Sequence, residues 1–229
     1  MYARWYRLRT DKALIFDFNG TLFWDTEYHR QAWGAISLRL RNKPLTDEES
    51  YHLNGRTNAE TITYLLGRPT SREEVIRISG EKEELYKDIC LGNRPLSLAP
   101  GAITLFKRAK LAGIPLAIAT SAGEDNIRRY EAWFSLSKYV PSSLIIYDNG
   151  KRKGKPAPDI YQDTCKALGL RPEACTVFED TKAGILSASR AGIESIYAVG
   201  SPGADIQTTQ AMEGVHGLLT DFSEFSLEQ

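Results

Sequence analysis

Short apolar runs alternate with helical patterns over most of the chain. Five runs end at a polar or glycine-containing turn and predict buried strands: residues 12–17, 115–120, 143–147, 174–179 and 194–199. Between the later runs, apolar positions recur at helical spacing over residues 101–113, 123–134, 156–168 and 182–191. This alternation predicts an α/β fold in which helices cover both faces of a parallel sheet, giving three layers.

Residues 25–97 interrupt the alternation with helical patterns alone. One helix is predicted from apolar positions spaced four residues apart: Tyr28, Ala32, Ile36 and Leu40. A second begins at the capping-box sequence SREE, which starts at Ser71, and runs to about Cys90. The segment is therefore predicted to be an all-helical cap domain inserted into the α/β core, which comprises residues 1–24 and 98–229.

Composition narrows the classes of function. The 229 residues carry 29 basic and 29 acidic side chains, and this balance does not favour binding to nucleic acid or to an anionic membrane. The N-terminus lacks the apolar segment of a signal peptide, and Arg4, Arg7 and Arg9 are expected to lie on an exposed arm. Three cysteines without metal-type spacing predict buried thiols, and we expect a cytoplasmic monomer.

Polar residues follow several of the predicted strands where those strands end. In an open parallel sheet, ligands bind beyond the carboxyl ends of the strands, so these residues are expected to meet at one edge. They are Asp17, Thr120, Ser121, Glu179 and Asp180, with Lys155 just ahead of a predicted helix. Asp17 and Asp180 are suited to Mg²⁺, whereas Thr120 and Lys155 can bind the oxygens of a transferring phosphoryl group. Backbone N–H groups of the turn over residues 18–21 are expected to complete the phosphate site.

Four sequence motifs occur in a familiar order: DFNGT, IATS, KGKPAPD and FEDTKAG. Together they resemble the motifs of the haloacid dehalogenase superfamily of phosphotransferases, and the resemblance covers nearly the whole chain. It implies a Rossmannoid core. DTEYHRQAW and LNGRTNAET resemble the first cap helix and the substrate-selecting cap loop of the branch that contains β-phosphoglucomutase and small sugar-phosphate phosphatases.

The resemblance assigns a role to each motif residue. It implies that Asp17 becomes an aspartyl phosphate, and that Asn19, Thr120 and Lys155 complete the catalytic set. Mg²⁺ would be held by Asp17, Glu179, Asp180 and the backbone carbonyl of Asn19. The expected substrate-binding residues are Gly20, Thr21, His29, Gly55, Arg56, Thr57, Asn58, Lys82 and Ser121. The substrate would be a small phosphorylated metabolite, either a sugar phosphate or an acyl phosphate.

Asn19 departs from the pattern, because most phosphatases of this family have a general acid–base Asp there. An amide does not transfer protons near neutral pH, and general acid–base assistance is typically worth about 10²–10⁴ in rate. Three explanations are open. The leaving group needs little protonation, or another group such as His29 or Glu27 supplies the proton, or the protein mainly binds phosphorylated ligands.

Other sequence positions bear on whether the chain has one of the related activities of this superfamily. A β-phosphoglucomutase-like activity is the alternative, but Asn58 occupies the place of the Arg that grips the second phosphate, and Arg56 lies two residues earlier. Dehalogenases of the superfamily lack an acidic pair in the fourth motif, so Glu179 and Asp180 argue against that activity. Phosphonoacetaldehyde hydrolases need a cap lysine that YHLNGRTNAE does not contain. A phosphatase is therefore the predicted activity.

Overall fold

The computed structural model describes residues 12–227, and its centre is a six-stranded sheet. The strands are β1 (Ala13–Phe16), β2 (Leu116–Gly123), β3 (Ile145–Asp148), β4 (Cys175–Glu179), β5 (Ser195–Val199) and β6 (Val215–Leu219). They pair in the order β3-β2-β1-β4-β5-β6, and every neighbouring pair is parallel. The predicted α/β fold is confirmed. Five strands coincide with the predicted runs, whereas β6 was not predicted.

The central strand β1 packs against a hydrophobic core on each face of the sheet. Leu14 and Phe16 belong to one buried cluster, whereas Ala13 and Ile15 belong to another. This division follows from the two-residue period of a strand. Because both faces are covered by helices, the strand is apolar at every position rather than alternating.

Residues 26–92 form four helices: α1 (Thr26–Arg41), α2 (Asp47–Leu53), α3 (Asn58–Leu66) and α4 (Arg72–Gly92). Capping boxes open α2, α3 and α4 at Thr46, Thr57 and Ser71, of which only the last was predicted. In α1, the buried positions include Ala32 and Ile36 of the predicted apolar ladder. The segment is helical as expected, while its status as a separate cap domain stays a prediction.

The later helices flank the strands: α5 (Ala102–Leu111), α6 (Glu124–Phe134), α7 (Asp159–Leu168), α8 (Lys182–Arg190) and α9 (Ile206–Gln210). Helix α7 begins three residues later than predicted, because Pro156 and Pro158 lie in the preceding loop and at the N-cap. The peptide bond between Lys155 and Pro156 is cis. This loop places Lys155 at the carboxyl edge of the sheet.

The four-helix segment contacts that edge at two places. In the loop before α3, the Gly55 carbonyl accepts a hydrogen bond from Ser121 Oγ at 2.9 Å. Gly55 has a φ of 80°, and a Cβ added there would lie 2.7 Å from Thr181 Oγ1, so only glycine fits without displacement. In α4, the Glu83 carboxylate accepts a hydrogen bond from Asn126 Nδ2 of α6 at 2.7 Å. These contacts hold the helices over the predicted active site.

Three other expectations concern the cysteines, the N-terminal arm and membrane-spanning helices. Cys90, Cys165 and Cys175 are buried and free, as predicted. The expected basic arm at Arg4, Arg7 and Arg9 lies outside the described residues. Over residues 12–227, no helix combines the length and the apolar character that a bilayer crossing requires.

Candidate active site

Five predicted residues meet at the carboxyl edge of the sheet. Their side chains come from four segments: Asp17 after β1, Thr120 in β2, Lys155 in the loop between β3 and α7, and Glu179 and Asp180 at the end of β4. Each is at most 6% exposed. Because β1 lies between β2 and β4, Asp17 occupies the centre of the group.

Lys155 ties the group together through its ammonium. Nζ donates to Asp17 Oδ1 at 2.6 Å and to Glu179 Oε1 at 2.5 Å. The hydroxyl of Tyr161 donates to the same Glu179 oxygen at 2.8 Å. Burial alone would lower the pKa of Lys155, but the two carboxylates outweigh it and raise that pKa, so the ammonium stays charged. A cation is thus fixed beside the predicted nucleophile.

A metal ion fits the acidic side of the group. Oxygens of Asp17, Glu179 and Asp180 lie within 4.8 Å of one another. Burial raises the pKa of Asp17 to about 7 against the charge of Lys155, and burial followed by the neighbouring carboxylates raises that of Asp180. Asp180 Oδ1 accepts from Thr21 Oγ1 at 3.0 Å, but its buried Oδ2 has no hydrogen-bond partner within the described residues. A hard divalent cation such as Mg²⁺ would satisfy this oxygen and offset the repulsion.

Gly20 and Thr21 shape this acidic site. A Cβ at Gly20 would lie 2.1 Å from Asp180 Oδ2, so glycine permits the close approach of that carboxylate. The N–H of Gly20 donates to Phe23 O at 2.7 Å and to Asp25 Oδ1 at 3.0 Å. The Thr21 N–H donates within the turn, and its hydroxyl holds Asp180. Both N–H groups thus have acceptors within the protein, and the expected substrate contacts of these two residues stay predictions.

The side chain of Asn19 belongs to a buried polar network. Its Nδ2 donates to Asp25 Oδ2 at 2.6 Å and to the Tyr130 hydroxyl at 2.7 Å. Asp25 also accepts a short hydrogen bond from Tyr86, whose hydroxyl lies 3.2 Å from that of Tyr130. Asn19 Oδ1 is 3.5 Å from Thr120 Oγ1. The amide therefore directs its oxygen toward the phosphoryl-binding residues.

The two proposed substitutes for an acid–base Asp are already engaged. His29 contacts Lys82 Nζ through Nδ1 at 2.8 Å and Asp25 Oδ2 through Nε2 at 3.3 Å, so both ring nitrogens have partners. Glu27 pairs with Arg30 at 2.7 Å, and hydrogen bonding to that guanidinium lowers the pKa of the Glu27 carboxyl. Glu27 is therefore held ionised, which is the wrong state for an acid.

A cavity of about 430 Å³ separates the sheet edge from the helices. Glu83 lines it and accepts hydrogen bonds from Lys82 Nζ at 2.9 Å and Asn58 Nδ2 at 2.8 Å. Arg56 also lines it, with Nε donating to His52 O at 3.0 Å, and makes no salt bridge to any described carboxylate. The predicted site residues along the cavity are Asp17, Asn19, His29, Gly55, Arg56, Asn58, Lys82, Thr120 and Ser121.

Thr57, also expected to bind substrate, does not line this cavity, and its role there stays a prediction. It is the N-cap of α3, and its hydroxyl accepts from the N–H of Glu60 at 3.3 Å and donates to the Glu60 carboxylate at 2.9 Å. The hydroxyl is thus used within the helix cap. Its neighbours Gly55, Arg56 and Asn58 retain their predicted position.

Several residues of the site were not predicted. They are Asp25, Glu83, Tyr86, Tyr130 and Tyr161, and they lie in or next to four different helices. Asp25 has the sequence position of an N-cap before α1, but its side chain makes no cap hydrogen bond and turns toward Asn19 instead. The tyrosines could have been suspected only as polar groups on otherwise buried helix faces, because nothing in their local sequence names their partners.

Comparisons with known proteins agree with the geometry of the site. Residues 12–192 match a family model described as haloacid dehalogenase-like hydrolase. The chain is similar to Protein CbbY from Rhodobacter capsulatus, with 32% identity over 191 residues, covering 81% of this chain and 84% of the relative. Hexitol phosphatase A from Escherichia coli is 30% identical, with 83% of this chain and 84% of the relative covered.

A solved structure extends the likeness over almost the full length. It is a HAD hydrolase of family IA, variant 3, from Entamoeba histolytica, with a TM-score of 0.84 and 36% identity. The alignment covers 95% of this chain and 96% of that chain. The similarity therefore includes both the sheet with its motifs and the helical segment above it.

Proposed function

The chain belongs to the haloacid dehalogenase-like hydrolase family, and from this premise we propose that it is a Mg²⁺-dependent phosphatase of a small phosphorylated metabolite. The observation that supports this most strongly is the Asp17 carboxylate, fixed by Lys155 at 2.6 Å beside the cavity that Thr120 and Ser121 also line. A nucleophile, a cation and hydroxyl donors at one edge are what transfer of a phosphoryl group requires. In this proposal the four helices act as a cap over the reaction.

The metal would be held by Asp17, Asp180 and the backbone carbonyl of Asn19, with Glu179 beside them. Bound there, Mg²⁺ would neutralise charge on the phosphate and allow it to approach a carboxylate. Glu179 has a second role, because it holds the Lys155 ammonium at 2.5 Å. It therefore positions the lysine as well as adding negative charge to the metal site.

Catalysis proceeds in two displacements on phosphorus. The Asp17 carboxylate forms a bond to phosphorus while the bond to the leaving-group oxygen breaks, giving an aspartyl phosphate. Thr120 donates a hydrogen bond to a phosphoryl oxygen, and Lys155 neutralises the charge that develops. Water then attacks phosphorus, one of its protons passes to a phosphoryl oxygen, and Asp17 departs as a carboxylate. The hydrogen bond from Ser121 to Gly55 O ties the loop before α3 to the sheet edge where both steps would occur.

The relatives support a phosphorylated sugar or sugar alcohol as substrate, whereas an acyl phosphate of similar size is supported by Asn19, which replaces the acid–base Asp. A mutase is less well supported, because it must release and rebind a bisphosphate and therefore needs cations for a second phosphate. Among the described residues, only Arg56 lines the cavity as a cation without a carboxylate partner. We also propose a cytoplasmic monomer without nucleic-acid or membrane partners, on the basis of the balanced charge and the free thiols.

The test is an assay of purified protein against acyl, aryl and sugar phosphates, with and without Mg²⁺, for the wild type and for Asp17→Asn. We expect Mg²⁺-dependent release of phosphate that falls at least 10³-fold in the variant, because the nucleophile is lost. Melting curves should show that the variant is folded. Turnover that persists in Asp17→Asn would exclude the proposed nucleophile, and no turnover by the wild type would favour a binding role.

A further inference from the structure

The network around Asn19 fixes the orientation of its amide. Both Nδ2 hydrogens have acceptors, the Asp25 carboxylate at 2.6 Å and the Tyr130 oxygen at 2.7 Å. Tyr86 also donates to Asp25, and its hydroxyl lies 3.2 Å from that of Tyr130. Asp25 is fully buried and also accepts from the Gly20 N–H at 3.0 Å, so the carboxylate is itself immobilised.

Reversing the amide would be strongly unfavourable. Its oxygen would then lie against the Asp25 carboxylate at about the 2.6 Å that now separates donor and acceptor. The reversal would also remove the hydrogen bond that Asp25 now accepts from Nδ2. An oxygen with lone pairs held against a buried carboxylate is costly, because neither group can donate to the other. Asn19 therefore presents Oδ1, an acceptor, to the reacting group.

An acceptor at this position cannot assist an ester oxygen as it leaves. That oxygen gains negative charge and needs a donor, yet Oδ1 offers only lone pairs. His29 and Glu27 do not compensate, because both are held by other partners. Resting on the proposed function, we infer that the site selects phosphates whose leaving group departs as a stable anion, and that its substrates are acyl phosphates rather than alkyl phosphate esters.

The reaction balances without a proton donor. Asp17 attacks phosphorus, the bond to the acyl oxygen breaks, and the leaving group departs as a carboxylate that takes up no proton at neutral pH. In the second step water attacks phosphorus, the bond to Asp17 breaks, and one water proton goes to a phosphoryl oxygen, giving dihydrogen phosphate. Asn19 Oδ1 accepts a hydrogen bond from the attacking water and orients it. In both steps the departing group is a carboxylate.

The leaving-group acidity makes the selection large. A carboxylic acid has a pKa of about 4 and a phenol about 10, whereas an alcohol resembles water at about 16. The missing assistance of an acid is typically worth about 10²–10⁴ in rate, and it matters most for the alcohol. The wild type is therefore expected to lose activity steeply from acetyl phosphate through phenyl phosphate to glycerol phosphate.

The experiment compares kcat/KM for acetyl, phenyl and glycerol phosphates in the wild type, Asn19→Asp and Tyr130→Phe, each checked for folding by thermal melting. Because acyl phosphates are intrinsically reactive, the readout is the ratio of acetyl to glycerol phosphate within each protein. In Asn19→Asp a carboxyl replaces the amide and can donate a proton to the leaving oxygen, so this ratio should fall at least tenfold. In Tyr130→Phe the Asp25 carboxylate still holds Nδ2 and keeps Oδ1 in place, so the ratio should stay within threefold of the wild-type value.

Four outcomes are decisive. A ratio that falls in Asn19→Asp and a steep wild-type series support the inference. Wild-type turnover of glycerol phosphate within tenfold of acetyl phosphate, lost in Asp17→Asn, overturns the inference and leaves the proposed phosphatase intact. If Asn19→Asp does not fold, the test uses the wild type alone with a series of substituted phenyl phosphates. The slope of log kcat/KM against the pKa of the leaving phenol is then measured, and a shallow slope overturns the inference. Absence of any Asp17-dependent turnover would overturn the proposed function itself.

Discussion

Replacing Gly20 by alanine tests whether Asp180 forms part of a metal site. The added Cβ would lie 2.1 Å from Asp180 Oδ2, and real contacts of this kind are not shorter than about 3.0 Å. The carboxylate must therefore move by about 1 Å, away from the hydrogen bond that Thr21 donates at 3.0 Å. A misplacement of about 1 Å can cost about 10²-fold in rate.

Backbone strain accompanies this collision and needs a control. Gly20 has a φ of 80°, where a non-glycine residue costs about 1–2 kcal/mol. Gly67 has a φ of 64° and nothing within 4 Å of its Cβ position, so Gly67→Ala carries similar strain without a collision. Both variants are expected to lose about 2–8 °C in melting temperature. The matched pair thus separates strain from displacement of the carboxylate.

The assay is a Mg²⁺ titration read by melting temperature and by phosphate release. Gly20→Ala should need about 10²-fold more Mg²⁺ for half activation and should lose the stabilisation that the metal gives to the wild type. Gly67→Ala should keep the wild-type response to Mg²⁺. Equal Mg²⁺ responses in the two alanine variants would refute the assignment of Asp180 as a metal ligand.

Two further predictions concern stability. Burial opposes ionisation of the Glu83 carboxyl, but Lys82 and further donors lower its pKa from 4.5 to about 2. The ionised form therefore stabilises the fold above pH 4.5, and this contribution is lost as the pH falls toward 2. Glu83→Gln should flatten acid unfolding followed by circular dichroism between those values, unlike Glu73→Gln at an exposed position of the same helix, and equal acid curves would contradict this. Tyr161→Phe removes a buried hydrogen bond to Glu179 and should lower the free energy of unfolding in urea by about 1.5–3 kcal/mol. If Tyr161→Phe lowers this free energy no more than Tyr51→Phe does at an exposed position, the bond to Glu179 contributes nothing to stability.

Much of the fold could be predicted because its signals are local. Five strands and four of the five later helices follow from apolar runs and helical spacing. Strand β6 (VHGLL) was missed, because a histidine and a glycine interrupt the run and its residues are only partly buried up to Leu219. The predicted phosphoryl-binding residues meet for a topological reason, since parallel strands place their carboxyl ends at one edge.

The surroundings of Asn19 could not be predicted in the same way. Its partners Asp25 and Tyr130 lie 6 and 111 positions further along the chain, and Tyr86, which donates to Asp25, lies 67 positions further. Only the packed structure brings these residues together. The sequence showed that a proton-transferring group is replaced by an amide. The hydrogen bonds of that amide show which of its atoms lies toward Thr120, and this orientation depends on three separate segments rather than on the motif alone.

Binding of trifluoroberyllate tests the nucleophile most directly, because this ion mimics a phosphoryl group on an aspartate. Fluorine NMR of the wild type with Mg²⁺ should show bound fluorines, and the melting temperature should rise. Both signals should vanish without Mg²⁺ and in Asp17→Asn, which keeps the size of the side chain and its cavity. Bound fluorines that persist in Asp17→Asn, or a wild type that binds none with Mg²⁺ present, would contradict the account.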